Sequence, residues 1–280
     1  MGSLRETKDR IGSVKSTLKI TSAMKLVASA KLRKAQSAIT AMRPYQQTLS
    51  EILGAIPRSV IRASLNDAAP GGKTALVAVA SNSSLCGAFN TNILHAAREV
   101  LSAHPDADVF AVGRKAADAL RRLGYASDAD YGELIGRPSY EPAAALAEKL
   151  VGRFNEGVYA RVILVYNHFV STATQKVVVE DFLPYVLPAG EAVTDPDEYI
   201  YEPSAEEIAA TLLPQVFRLK LYTVLLDSAA AEHAARTVAM QTATDNAEGI
   251  LSDLTLEYNK RRQQKITSEI LDIVGGMQEG

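Results

Sequence analysis

The chain reads as an α/β fold in which a Rossmann-like α/β domain is inserted between two long terminal helices that pair as an antiparallel coiled coil. Three observations carry this. Apolar and small side chains recur at three- and four-residue spacing through both ends of the chain, the period of one helix face. The middle alternates short apolar runs with amphipathic stretches, the pattern of strands and their covering helices. Two long helices separated by a compact insert can pair only by running back along each other. The expected units are 1–58, the first coiled-coil helix; 73–190, the α/β domain; and 204–280, the second coiled-coil helix.

The first helix runs from about Leu4 to Ile56. Its seam is Ile11, Val14, Leu18, Thr21, Met24, Ala28, Leu32, Ala35, Ile39, Met42, Gln46, Leu49 and Leu53, close to a heptad pattern. Its length is about 75 Å at the helical rise. Pro44 is the one breaker and a candidate kink. Asn66–Gly72 is rich in turn formers. Thr74–Ala80 is a short apolar run suited to a buried strand, and Thr91–Ala103 an amphipathic helix. Ala107–Val112 and Arg114–Leu123 repeat that order. A further strand around Asp128–Tyr131 has few apolar residues behind it. Pro142–Phe154 reads as helix. Arg161–Phe169 and Gln175–Leu183 read as two strands, close enough in sequence to be antiparallel. Residues 184–203, rich in Pro, Gly and acidic side chains, lead out of the domain.

The last helix opens on Ser204-Ala205-Glu206-Glu207, a capping box. It closes on Gly275-Gly276, residues that tolerate the left-handed conformation of a helix end. Between them Ala247, Leu251, Leu254, Tyr258, Ile266, Ile270 and Ile273 mark a seam. At about 100 Å this helix exceeds a compact domain of this size, so it needs a partner of similar length. Pro214 either kinks it or sets off a short first piece.

Charge is unevenly placed. The net charge is −2, yet residues 1–34 hold nine Lys and Arg against Glu6 and Asp9, a local +7. From Val177 to Phe217 there is no Lys or Arg. A basic end therefore faces an acidic body or an acidic partner. The single cysteine, Cys86, excludes an internal disulfide and fits a reducing compartment. No run of eighteen apolar residues suggests a transmembrane helix, and the charged N-terminus lacks the apolar core of a secretory signal.

No stretch assembles an acid, a base and a pocket. Gly72-Lys73-Thr74 resembles the end of a phosphate loop, but the earlier glycine is Asp67 and the segment precedes a strand rather than following one. It reads as a plain turn. The histidines His95, His104, His168 and His233 lack metal-ligand spacing. His168 reads as a hydrogen-bonded structural residue and Cys86 as a small buried thiol. Ser81–Asn92 lies where α/β sheets place ligands, but it offers no base or cation. It reads as a structural turn, with Asn90, Thr91 or Asn92 as the helix cap. The basic first helix lacks interleaved aromatics, which favours contact with an acidic protein over nucleic acid. A nucleotide-binding enzyme using the insert and a nucleic-acid-binding scaffold are the alternatives.

Ile11–Gln36 resembles the N-terminal signature of the gamma subunit of F-type ATP synthase. Glu232–Met240, Ala243–Ala247, Tyr258–Gln263, Ile266–Ile270 and Ile273–Gly276 resemble its C-terminal signature, and Ser84–Asn90 its motif after the first strand. The resemblance implies the central rotor shaft. Three alpha and three beta subunits would alternate around it, with the epsilon subunit and the c-subunit ring at its other end. Proton flow would turn the shaft, which would drive ATP synthesis at the beta subunits, or the reverse. It implies no catalytic residue, no cofactor and no metal on this chain, no nucleic-acid partner, and a peripheral place on the cytoplasmic face of the inner membrane if bacterial. Carried over by position, Met24, Arg236, Arg262, Gln263, Thr267 and Glu269 are the coupling residues at the partner interface. Arg262 and Gln263 match the pair that meets a beta-subunit loop. The sequence departs from the family at Asn82-Ser83-Ser84, where Asp-Arg-Gly is usual, and at Thr237, where Met is usual.

Overall fold

The computed structural model describes residues 4–65, 71–185 and 200–276. The elements, in chain order, are α1 (Leu4–Ala55), α2 (Arg58–Ala63), β1 (Lys73–Val79), α3 (Phe89–Ala103), β2 (Asp108–Val112), α4 (Arg114–Arg122), α5 (Gly132–Gly136), α6 (Tyr140–Asn155), β3 (Tyr159–Phe169), β4 (Gln175–Leu183) and α7 (Ala205–Gly276). The chain forms two compact units. One joins Met1–Ala28 to Thr237–Gly280; the other is Ser29–Arg236. Both long helices contribute to both units.

In the first unit α1 and α7 run antiparallel. Thr244 Oγ1 donates to Thr21 Oγ1 at 2.9 Å and Lys25 Nζ donates to Gln241 Oε1 at 2.9 Å, so the pairing descends α7 as it climbs α1. The seam read from the sequence faces inward. Thr21, Ala28, Ala247 and Leu254 of that seam are buried, as are Met240 and Thr244, which it did not include, while Ile20, Leu26 and Val27 on the other faces are exposed. The seam ends early. Ile266, Ile270 and Ile273 were expected to pack, yet they are 44%, 55% and 66% exposed. The described part of α1 begins at Leu4, and every α7 residue from Arg262 to Leu271 is exposed. The hydrophobic period continues where no described residue covers it.

In the second unit a four-stranded sheet has the order β2-β1-β3-β4. β1 pairs parallel with β2 and β3, and β3 pairs antiparallel with β4. Successive side chains alternate across the sheet. Leu76, Ala78, Val109, Ala111 and Ile163 face α3 and α4, meeting Ile93, Ala97 and Leu120. Ala75, Val77, Phe110, Val162 and Leu164 face the opposite layer, meeting Leu146 and Leu150 of α6 and Leu221 and Leu225 of α7. Fully burying such a side chain contributes about 1.5–3 kcal/mol.

Pro214 neither ends α7 nor sets off a separate piece, and Pro44 lies inside α1. A proline inside a helix costs about 3 kcal/mol. Leu213 and Phe217 on either side of Pro214 are 3% and 5% exposed, so packing outweighs the break. The most apolar eighteen-residue window of α7 reaches a mean hydropathy of 1.2, enough by composition to cross a membrane. Leu213, Leu221, Leu225 and Ala229 of this helix are buried in the core of the second unit. Ser204 caps α7 as expected, its Oγ accepting from Glu207 N at 3.2 Å.

Three local expectations change. No strand forms at 128–131. The backbone makes one bridge, Val109 to Ser127, and then enters α5, while Asp128 accepts from Tyr131 Oη and Lys149 Nζ. The short α2 follows Pro57 and buries Ile61, a single anchor too sparse to show as a period. No side chain caps α3. Its N-cap is Ala88, and Asn90 turns back to the preceding loop. Gly72 is placed by crowding rather than by a phosphate, since a Cβ there would lie 2.7 Å from Ala160 N. The turn expected at Asn66–Pro70 and most of the lead-out, residues 186–199, lie outside the described residues.

Candidate functional site

The turn after β1 is built by its own polar side chains. Ser81 N and Oγ both donate to Asn90 Oδ1 at 3.0 Å, and Asn90 Nδ2 donates to Cys86 Sγ at 3.2 Å. Asn82 fixes the outer flank. Its Oδ1 accepts from Arg114 N at 3.0 Å, and its Nδ2 donates to the Gly132 carbonyl at 2.7 Å. Leu85 then adopts φ +67°, the only positive φ at a non-glycine among the described residues, and is 59% exposed. Such a conformation costs on the order of 1–3 kcal/mol and persists only where the surroundings impose it.

Arg236 of α7 holds the two residues before Leu85. Its Nη1 donates to the Ser84 carbonyl, and its Nη2 donates to Ser83 Oγ at 3.0 Å and to Glu232 Oε1 at 2.8 Å. Both side chains of the Glu232–Arg236 pair are 9% exposed. Burial pushes the Glu232 carboxyl up, and the guanidinium beside it pulls it partly back. Burial also pushes the Cys86 thiol up, so it is a protonated, unreactive group at neutral pH. His233, on the same turn of α7, is driven down to about 4 by burial and by the charges of Lys31 and Arg236. Cys86, Phe89 and Ala231 pack together with Phe169 and Ala235 beside them.

This packing decides the fate of the place where sheets of this type hold ligands. The connection from β1 runs to β2 on one side, and the connection from β2 returns past β1 to β3 on the other, so the crevice outside the carboxyl ends of β1 and β3 is the switch point. Here α7 covers the turn at that crevice. At the end of β3, His168 Nδ1 lies 2.5 Å from Asp227 Oδ2 on α7, and Phe169 N donates to Asp227 Oδ1 at 2.9 Å. His168 is thus the hydrogen-bonded structural residue expected. Lys73 Nζ lies 3.3 Å from Asp108 at the opposite, amino end of the strands. A cleft of about 380 Å³ lies between α3 and the β3–β4 face. Its Arg161 is held by both oxygens of Asp181, at 2.6 and 2.9 Å. Among the described residues no three His, Cys, Asp or Glu side chains group to hold a metal.

The residues assigned to coupling fall in three places. Met24 is half-buried on α1 in the first unit. Arg236 is buried in the second unit, 8% exposed. Arg262, Gln263, Thr267 and Glu269 lie together on the exposed end of α7. Arg262 and Glu269, seven apart, share one stripe, and Gln263 and Thr267, four apart, share the next. Thr267 Oγ1 donates to the Gln263 carbonyl at 2.9 Å, and Glu269 Oε1 lies 3.6 Å from Lys265 Nζ. The grip of Glu232 and Arg236 on Ser83 and Ser84 was missed from the sequence. The i,i+4 Glu–Arg spacing was visible, but its target is some 150 positions away in the chain.

The family model described as ATP synthase matches residues 3–278. The ATP synthase gamma chain of Phocaeicola vulgatus is 48% identical over 287 residues, covering 99% of each chain. That of Bacteroides fragilis is 47% identical over 290 residues, again covering 99% of each. A chain in the Euglena gracilis mitochondrial ATP synthase OSCP/F1/c-ring structure aligns over 98% of this chain and 93% of its own length, with TM-score 0.69 and 22% identity. A chain of the Tetrahymena thermophila mitochondrial ATP synthase central stalk/c-ring structure aligns over 80% of this chain and 99% of its own, with TM-score 0.58 and 25% identity.

Proposed function

The chain belongs to the ATP synthase gamma-chain family, the central rotor shaft of the F-type enzyme, and we propose that it works as that shaft with no catalytic site of its own. The observation that carries the proposal is the end of α7. Ten consecutive residues, Arg262–Leu271, are exposed on a helix that continues an apolar period, with Ile266, Ile270 and Leu271 at 44%, 55% and 65%. An apolar helix surface that no described residue of its own chain covers suits a partner surface.

On this reading three alpha and three beta subunits surround the coiled coil, and the epsilon subunit and c-subunit ring engage the α/β domain. Residues 1–58 and 204–280 act as the shaft and 73–190 as the head. Met24, Arg262, Gln263, Thr267 and Glu269 face the beta subunits, and hydrogen ion transport through the ring turns the assembly. A shaft that differs around its circumference presents a different contact to each beta subunit. Only such differential contact can bias their nucleotide-binding states. Exposed charge pairs of the Lys265–Glu269 kind are worth under ~1 kcal/mol, so contacts of this class form and break in sequence without holding one angle. Nucleotide belongs to the partners, and the chain sits peripherally on the cytoplasmic face of the inner membrane. The covering of the β1 switch point by α7 supports the absence of a nucleotide site here.

The test is mild affinity purification of the chain from its own membranes, followed by native mass spectrometry and an ATPase assay. One copy of the chain should arrive with alpha and beta subunits in excess, and the complex, not the chain, should hydrolyse ATP. A chain recovered alone, or one that hydrolyses ATP by itself, would overturn the reading.

A further inference from the structure

We propose that Arg236, together with Glu232, is a positioning residue that acts through the Asn82–Leu85 turn rather than by touching a partner subunit itself. For its consequence in coupling the inference rests on the rotor reading; the clamp itself is a property of this chain alone. An arginine that meets a partner needs exposed surface and donors to spare. Arg236 is 8% exposed, and its two terminal nitrogens are committed to the Ser84 carbonyl, Ser83 Oγ and Glu232 Oε1. The planar fork spreads its donors over two terminal nitrogens and so reaches the turn and Glu232 together, a span that one ammonium nitrogen lacks. Glu232 is itself 7% exposed, so it aims the guanidinium and neutralises it in place.

The turn needs this grip. Asn82 is anchored on the α4 and α5 side, and Arg236 holds Ser83 and Ser84 on the α7 side. Between these anchors and Cys86, Leu85 is held at φ +67° with its side chain outward. Directly after it Cys86 is 1% exposed. The serine at 83 fits this role, since its hydroxyl accepts from Nη2, where the longer arginine usual in the family would bring a second cation. A change at Arg236 is therefore felt at the surface as a displacement of Leu85 and its neighbours.

Cys86, the only cysteine of the chain, reports the state of the turn. Its modification by N-ethylmaleimide is followed by mass spectrometry of the Cys86 peptide, in the assembled complex and in the chain alone. Glu232→Gln with Arg236→Gln avoids leaving one buried charge unpaired. This double variant should label at least tenfold faster than the wild type. Adding Leu85→Gly should return most of the protection, because glycine adopts the positive φ without strain and the turn no longer needs the clamp. Arg236→Lys should label at an intermediate rate. A double variant that labels no faster, or one that Leu85→Gly does not protect, overturns the clamp. Failure of the wild-type chain to assemble with alpha and beta subunits overturns the rotor reading, and labelling of the chain alone still decides the clamp.

Discussion

The buried hydroxyl pair Thr21–Thr244 should pin the register of the two helices at a cost set by what each hydroxyl does alone. Thr21 Oγ1 donates to the Leu18 carbonyl at 3.1 Å, so toward Thr244 it can only accept. Thr244 Oγ1 lies 2.9 Å from Thr21 Oγ1 and 2.8 Å from the Met240 carbonyl, and its single proton serves one of them at a time. Each threonine thus keeps a bond within its own helix when the other is removed. Neither Thr21→Val nor Thr244→Val leaves a buried polar group unpaired, so each loses only the net worth of one hydrogen bond, about 1 kcal/mol. That corresponds to roughly fivefold faster local opening. Replacing both hydroxyls removes that same bond only once, so the double variant should cost about as much as either single, about 1 kcal/mol. Hydrogen exchange of peptides spanning Val14–Ala28 in the assembled complex measures this. Each single variant should exchange about fivefold faster, and the double variant should lie within about twofold of either single. Additive effects would refute the reasoning, because they would show that the hydroxyls do not act through each other.

Acid should weaken the second unit through His233. Its pKa is about 4 in the fold against about 6.5 unfolded, so the unfolded chain binds the extra proton first. The stabilising contribution is complete above 6.5 and is lost as pH falls toward 4, with a total of about 3 kcal/mol. Glu232, whose pKa is raised by burial, acts in the opposite sense as pH rises above its unfolded value. The difference in thermal midpoint between wild type and His233→Gln therefore isolates the histidine, and a difference constant from pH 7 to 4 would sink this account. Gly113→Ala should cost about 3 kcal/mol or more, since Gly113 sits at φ +94° and a Cβ would lie 2.0 Å from the Ala80 carbonyl. A thermal midpoint within a degree of wild type would contradict it. Met24→Lys places a charge on a half-buried seam position. It should lower ATP made per proton translocated while the complex still assembles, and unchanged coupling would remove Met24 from the interface.

Much of the fold could be read in advance because it follows from local periods. The α1 seam from Ile11 to Leu53 is buried or half-buried at every position named from the sequence. All four strands lie within two residues of where their apolar runs placed them. Short anchored pieces were not readable. A six-residue helix with one buried isoleucine has no period, and Asp128 and Tyr131 are placed by Lys149, not by a strand partner. The candidate site divides the same way. The apolar pattern named Ile266, Ile270 and Ile273 at the end of α7, whereas Arg262, Gln263, Thr267 and Glu269 were named by the family resemblance alone. That no described residue covers this pattern shows only in the folded chain.

The sequence by itself determined the antiparallel helices and the parallel sheet with one antiparallel edge. Both follow from side-chain periodicity and from the order of the elements along the chain. Only the tertiary structure decided that Arg236 is spent on Ser83, Ser84 and Glu232, and that α7 lies over the crevice where such sheets bind ligands. It also decided that Leu85 is held in a left-handed conformation beside a buried thiol. The physical reason is range. Periods are set by neighbours within a turn or two of helix or strand, whereas a buried guanidinium takes its acceptors from whatever chain the fold brings within hydrogen-bond reach.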